Sequence, residues 1–275
     1  KGLAAGPVGK ASKVQEPPEN QQDSLINLYS QGLLQQALEQ STALLQQFPS
    51  SSFLYNICGV VCDGLGQLDA AVDAYNKALA IKPDFVDAYS NLGISLQEQG
   101  KLEEAIEAYN KALVLKPDYA EAYYNMGNAL QVHGELDEAI EAYKKTLSLK
   151  PDYAEAYCNM GSVLQEQGKL EEAIEAYNKA QAIKPDAAEA YNNMGNALNE
   201  QDKLEEAIEA YNKSISLKPD YVEAYNNMAT ALVSSDKLDE AIEACNNALA
   251  LKPDYAEARV AKLHQQGMIC DWAGI

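Results

Sequence analysis

Residues 120–153 read AEAYYNMGNALQVHGELDEAIEAYKKTLSLKPDY, and close variants of this 34-residue stretch follow one another along most of the chain. Its Lys-Pro-Asp signal stands at 82–84, 116–118, 150–152, 184–186, 218–220 and 252–254, so units begin at Ser52, Val86, Ala120, Ala154, Ala188 and Val222. A weaker unit ending in Phe48-Pro49 covers 18–51, and a partial copy opens at Ala256. A fixed period of this length describes a stack of like supersecondary units, each packing on its neighbours, with function on a continuous surface.

Within residues 120–153, Ala122, Met126, Ala129 and Leu130 recur at helical spacing, and Gly134 supplies a stop. Leu136, Ala139, Ile140, Tyr143 and Leu147 then mark one face of a second helix, closed by Pro151. Asp152 is expected to cap the helix that follows. Each unit is therefore two antiparallel helices. The eighth position reads Gly59, Gly93, Gly127, Gly161, Gly195 and Ala229; the twentieth is alanine throughout, from Ala71 to Ala241. Glycine inside a helix costs roughly 1 kcal/mol against alanine, so its recurrence points to close backbone approach. Fifteen of the seventeen tyrosines occupy the fourth, twenty-fourth or thirty-fourth position, as expected of wedges between helices.

The formal charge of −20 argues against nucleic acid and anionic membrane, both of which call for basic surface. No apolar run has the length of a membrane span. Five cysteines without a disulfide pattern suit a reducing, cytoplasmic setting, and Cys58 and Cys62 read as core residues, not metal ligands. The two histidines, His133 and His264, are far apart, and no nucleophile–base pair, metal cluster or phosphate loop accompanies them. The chain reads as a binding module, not an enzyme, with no cofactor.

An aromatic residue at position four, Gly at eight, Ala at twenty, Tyr at twenty-four and Pro at thirty-two resemble the tetratricopeptide repeat, strongly over 52–255 and weakly over 18–51. The resemblance implies an all-α fold, a right-handed superhelix (α-solenoid) of about seven helix pairs plus a terminal helix. It also implies that the first helix of each pair lines the concave face.

On that face the sixth position reads Asn91, Asn125, Asn159, Asn193 and Asn227. An asparagine amide both donates and accepts, so a column of them can hold the backbone of an extended polypeptide. Each bond contributes only about 1 kcal/mol net, so grip would come from their number. Gln97, Gln131, Gln165 and Asn199 at position twelve, with Asn128 and Asn196 at position nine, extend this candidate peptide-binding set. The alternative is a structural asparagine, bonding between helices, that repeat duplication copied. Asp87, Glu121, Glu155, Glu189 and Glu223 at position two suit a solvated rim near helix N-termini.

The asparagine column resembles that of the O-linked N-acetylglucosamine transferases, as does Cys270-Asp271-Trp272, which stands where that family joins its repeats to its catalytic region. In the final unit Arg259 and Ala261 depart from the pattern. The expected organisation is a flexible tail over 1–17, a divergent repeat over 18–51, six units over 52–255, and a capping helix and junction over 256–275. Expected partners are protein or peptide clients, delivered to a glycosyltransferase region outside this chain. A self-associating, homo-oligomeric scaffold is the alternative.

Overall fold

The structure is a computed structural model that describes residues 15–254. The remainder of the expected tail, the 256–275 helix and the Cys-Asp-Trp sequence lie outside the described residues. Those described form fourteen α-helices and no strand, an all-α solenoid of helix pairs in two compact units, 1–133 and 134–275. The first unit holds α1 (Glu19–Ser30), α2 (Leu34–Gln47), α3 (Ser52–Gly64), α4 (Leu68–Ile81), α5 (Val86–Glu98), α6 (Leu102–Leu115) and α7 (Ala120–His133). The second holds α8 (Leu136–Leu149), α9 (Ala154–Glu166), α10 (Leu170–Ile183), α11 (Ala188–Glu200), α12 (Leu204–Leu217), α13 (Val222–Ser234) and α14 (Leu238–Leu251).

Short connections make sequential helices antiparallel neighbours. Within each unit, odd-numbered helices also touch the next odd-numbered one, as α3 touches α5 and α11 touches α13, whereas among the described residues of a unit no even-numbered helix reaches the next even-numbered one. The odd helices therefore line the inner side of the curve within each unit.

The close approach read from glycine has a specific occupant. In four repeats the tyrosine at position twenty-four packs against the glycine at position eight of the same repeat. A Cβ on Gly93 would stand 2.5 Å from Tyr109 Cε1, one on Gly195 2.6 Å from Tyr211, and one on Gly161 2.7 Å from Tyr177; Gly59 and Tyr75 pack the same way. These rings are 0–1% exposed. In the last repeat both partners change: Ala229 replaces glycine, Cys245 replaces tyrosine, and both are fully buried in one cluster. A gained methyl is matched by a lost ring.

Turns follow the register too. The first helix ends on a residue of positive φ: Gly66, Gly100, Gly134 and Gly168, then Asp202 and Asp236 at φ 60°. The Asp202 N–H donates to the Asn199 carbonyl and the Lys203 N–H to that of Leu198, the same bonds that Gly100 and Lys101 make.

The Lys-Pro-Asp turn corrects the capping expectation. The N-cap of α9 is Tyr153, not Asp152, and no side chain caps it. Backbone closes the turn, with the Tyr153 N–H donating to the Lys150 carbonyl, so proline and aspartate occupy its two central positions. Lys82, Lys116 and Lys218 lie 4.8, 4.4 and 4.6 Å from the ring centres of Phe85, Tyr119 and Tyr221. Where Ala187 removes the ring, Lys184 pairs with Glu155 at 3.1 Å instead.

At the front, the N-terminus of α3 is held by Glu16. Its carboxylate accepts from the Ser52 N–H at 3.0 Å, the Ser52 hydroxyl at 2.9 Å and the Ser51 hydroxyl. An anion against the positive end of a helix is favourable, so this part of the expected tail is anchored.

Two stability experiments follow. Gly161→Ala should destabilise by about 1–3 kcal/mol through overpacking, and Tyr177→Cys by about 3 kcal/mol or more through a cavity. Denaturant titration of the double variant should show a cost well below the sum, as the natural Ala229–Cys245 pair implies. Asp202→Gly should raise stability by about 1 kcal/mol by relieving a left-handed residue with a Cβ, seen as a higher melting temperature.

Candidate functional site

The buried tyrosines bring a polar problem into the core, since each hydroxyl needs an acceptor. Position twelve of the same repeat supplies it. The Tyr75 hydroxyl donates to Asp63 Oδ2 at 2.6 Å, Tyr109 to Gln97 Oε1 at 3.2 Å, and Tyr177 to Gln165 Oε1 at 3.1 Å. Asp63 also accepts from Ser95 Oγ at 2.7 Å, tying two repeats together. In the unit opening at Ala188 the shorter Asn199 does not take this part. Tyr211 donates instead to Asn196 Oδ1 at 2.8 Å, and Asn199 Oδ1 is buried with no hydrogen-bond partner. Gln97, Gln165 and Asn196 thus use their carbonyl oxygens on the core, which leaves the amide nitrogens of Gln97 and Asn196 and one amide hydrogen of Gln165, whose other goes to Glu200.

The sixth-position asparagines are all half-buried on the odd helices, and they are not equivalent. Asn91 Nδ2 donates to Asn56 Oδ1 at 3.3 Å, and Asn227 Nδ2 to Asn192 Oδ1 at 3.1 Å. The acceptors, at position five of the preceding repeat, are 8% and 4% exposed. Asn192 Nδ2 in turn donates to Asn193 Oδ1 at 3.3 Å. These bonds leave Asn91 and Asn227 one amide hydrogen and the carbonyl oxygen each, and Asn193 its whole amide nitrogen. The Asn125 side chain makes no hydrogen bond among the described residues. Asn159, Asn128 and Gln131 are half-buried on the same helices and have partners.

Three of the expected residues meet in one place. Gln165, Asn193 and Asn196, with Ser162, Glu166 and Glu200, line an open cleft of about 490 Å³ between α9 and α11. Gln165 Nε2 donates to Glu200 Oε1, which holds that carboxylate at the cleft. Nothing in the sequence singled out Asn56 and Asn192 as anchors. Their signal is a spacing of one repeat plus one residue, visible only once adjacent inner helices are known to touch.

The rest of the chemistry is quiet. Burial pushes the thiols of Cys58 and Cys62 up and that of Cys158 to about 11, which disfavours thiolate. Among the described residues no His, Cys, Asp and Glu cluster is placed to hold a metal, and no helix is long and apolar enough to cross a membrane. Glu155 lies below the usual carboxylate range because it accepts its own backbone N–H and pairs with Lys184.

Burial raises the pKa values of Tyr75, Tyr109, Tyr177 and Tyr211, with Asp63 adding at Tyr75 and Glu200 at Tyr177 and Tyr211. The fold keeps these phenols neutral, so their contribution is complete below the unfolded-state value near pH 10 and lost as pH rises beyond it. Stability should fall by about 1.4 kcal/mol per pH unit for each tyrosine above that point. Melting temperatures recorded by circular dichroism from neutral to alkaline pH, with a further step in tyrosinate absorbance on unfolding as these four phenols are released, check this.

Comparison with known proteins agrees with this architecture. Family profiles described as TPR repeat match residues 65–100, 95–134 and 132–168, and tetratricopeptide repeat profiles match 152–220 and 222–255. The crystal structure of MamA is 34% identical over 58% of this chain and 94% of its own, with a TM-score of 0.57. That of YrrB, described as a TPR protein with an unusual peptide-binding site, is 26% identical over 70% of this chain and 99% of its own, with a TM-score of 0.58. MamA from Desulfovibrio magneticus RS-1 is 25% identical over 62% of this chain and 96% of its own, with a TM-score of 0.58. No curated protein matches the sequence significantly. Repeat length, register and the profiles that together run from residue 65 to 255 place this chain in the tetratricopeptide repeat family.

Proposed function

We propose that the chain is a protein–protein interaction module that holds extended polypeptide segments on the inner face of its odd-numbered helices. The observation that carries the reading is the residual hydrogen-bonding capacity of the asparagine column. Asn193 presents an unused amide nitrogen in a polar cleft, Asn125 keeps both halves of its amide, and Asn91 and Asn227 are oriented by one bond with others left open. Pre-orientation by the preceding repeat lowers the entropy lost on binding. Gln97 and Gln165 add amide nitrogens held in place by tyrosine hydroxyls. Asn128, Gln131, Asn159, Asn196 and Asn199 complete the proposed set.

YrrB, described as having a peptide-binding site, offers a precedent within the family. On the resemblance of the asparagine column and of Cys270-Asp271-Trp272, the module would serve an O-linked N-acetylglucosamine transferase-like protein, presenting substrates to a catalytic region that this chain does not include. The chain itself would carry no catalysis.

A second reading has its own observation. The Asn91–Asn56 and Asn227–Asn192 bonds are what a structural asparagine would make, leaving the array as an assembly scaffold. One set of variants separates the two. Asn125→Ala and Asn193→Ala should weaken capture on an array of short unstructured peptides while leaving the melting temperature within about a degree, because each lost bond would have been made to the client. Asn91→Ala and Asn227→Ala should lower stability by about 1 kcal/mol as well. Replacing all five with alanine, with helicity intact and peptide capture unchanged, would end the binding reading.

A further inference from the structure

The even-numbered helices carry a cleft that recurs in both compact units in the same register. In the first unit Val72, Leu92 and Leu96 floor a cleft of about 170 Å³ bordered by Glu104, Glu107 and Lys111. Four repeats later Ile208, Met228 and Leu232 floor its counterpart, of about 270 Å³, bordered by Glu240, Glu243 and Asn247. Their apolar floors differ only in which apolar residues they use, whereas their rims differ in charge. The twenty-sixth position is lysine in five repeats (Lys77, Lys111, Lys145, Lys179 and Lys213) and asparagine only at 247.

Three of those five lysines share one use. Lys77, Lys111 and Lys179 pair with the carboxylate four residues earlier, Asp73, Glu107 and Glu175, at 2.6, 2.7 and 2.7 Å. Lys77 and Lys179 also lie 5.9 and 6.0 Å from the ring centres of Tyr55 and Tyr157, the fourth residues of their own repeats. In the last repeat the corresponding carboxylate is Glu243 and the corresponding ring is Tyr225. Both line the larger cleft, and neither receives a cation among the described residues. The carboxylate and the aromatic face are kept, and the ammonium between them is missing.

We infer that the cleft of α12, α13 and α14 binds a lysine or arginine side chain from a basic amphipathic segment of another protein. That residue takes the place that Lys77, Lys111 and Lys179 fill in their own repeats. Its alkyl stem lies on Ile208, Met228 and Leu232, and its charged head meets Glu243, Glu240 and the Tyr225 ring. With 41 acidic against 21 basic residues and a net charge of −20, the chain favours a basic partner through long-range attraction. This site lies away from the asparagine column and stands or falls independently of it.

The test titrates the protein, by calorimetry, with a synthetic amphipathic peptide of leucines and lysines and with its glutamate-for-lysine version. The wild type should bind one lysine peptide and none of the glutamate version. Asn247→Lys closes the cleft from within, and it adds a helix-stabilising pair with Glu243, so it should fold normally. It should weaken binding by roughly tenfold, the worth of one ion pair with one cation–ring contact. Lys111→Asn opens the equivalent cleft in the first unit and should add a second site. Gln46→Lys, an exposed control that adds the same charge elsewhere, should change nothing. Unchanged binding by Asn247→Lys, equal weakening by Gln46→Lys, equal binding of the glutamate peptide, or no second site in Lys111→Asn would each overturn the inference. So would self-association of the peptide-free protein that Asn247→Lys abolishes, since a second copy would then be the occupant.

Discussion

The structure depends on one contact repeated along the chain, a tyrosine ring seated where the Cβ of the facing helix would be. Gly59, Gly93, Gly161 and Gly195 leave the space, and Tyr75, Tyr109, Tyr177 and Tyr211 fill it. Because the ring spans the gap between the two helices of a repeat, it fixes their separation. Because it is buried, its hydroxyl dictates a polar residue on the inner helix. A packing decision thereby becomes a decision about what the inner face can present. Ala229 with Cys245 shows that the constraint acts on the pair: when one member grows, the other shrinks.

That coupling explains why the inner face is not a plain row of free amides. Gln97 and Gln165 face the groove as amides yet serve the core as acceptors. The asparagine column divides similarly, with Asn91 and Asn227 tied to the preceding repeat and Asn125 and Asn193 less committed. A residue that both welds neighbouring repeats and faces solvent is held in orientation without further cost, which is what the proposed grip on a polypeptide backbone would use. The outer face follows different rules. There the lysine–carboxylate pairs are local, one turn apart on a single helix, and Asn247, standing where other repeats have lysine, leaves Glu243 at the cleft without such a partner among the described residues.

Much of this was legible in the residues. Helix pairs, their boundaries, the glycine stop and the wedge role of tyrosine followed from a 34-residue register, because helical spacing and small-residue columns are local signals. Asp152 is not the cap that its residue type suggests, because capping depends on which residue of a turn leaves helical geometry first. Proline places aspartate inside the turn and hands the N-cap to Tyr153. Asn56 and Asn192 went unnoticed because their partners are thirty-five residues away, a distance that means contact only after the inner helices are stacked.

The sequence by itself determined the unit: two helices, their amphipathic faces, their turns and the period at which they recur. All of these arise from interactions within about one repeat, which the order of residues encodes directly. Only the tertiary structure decided how each polar side chain divides its hydrogen bonds between the stack and the surface. That division depends on distances between helices of different repeats, down to the single methylene by which Asn199 falls short of glutamine's role and leaves Tyr211 to Asn196.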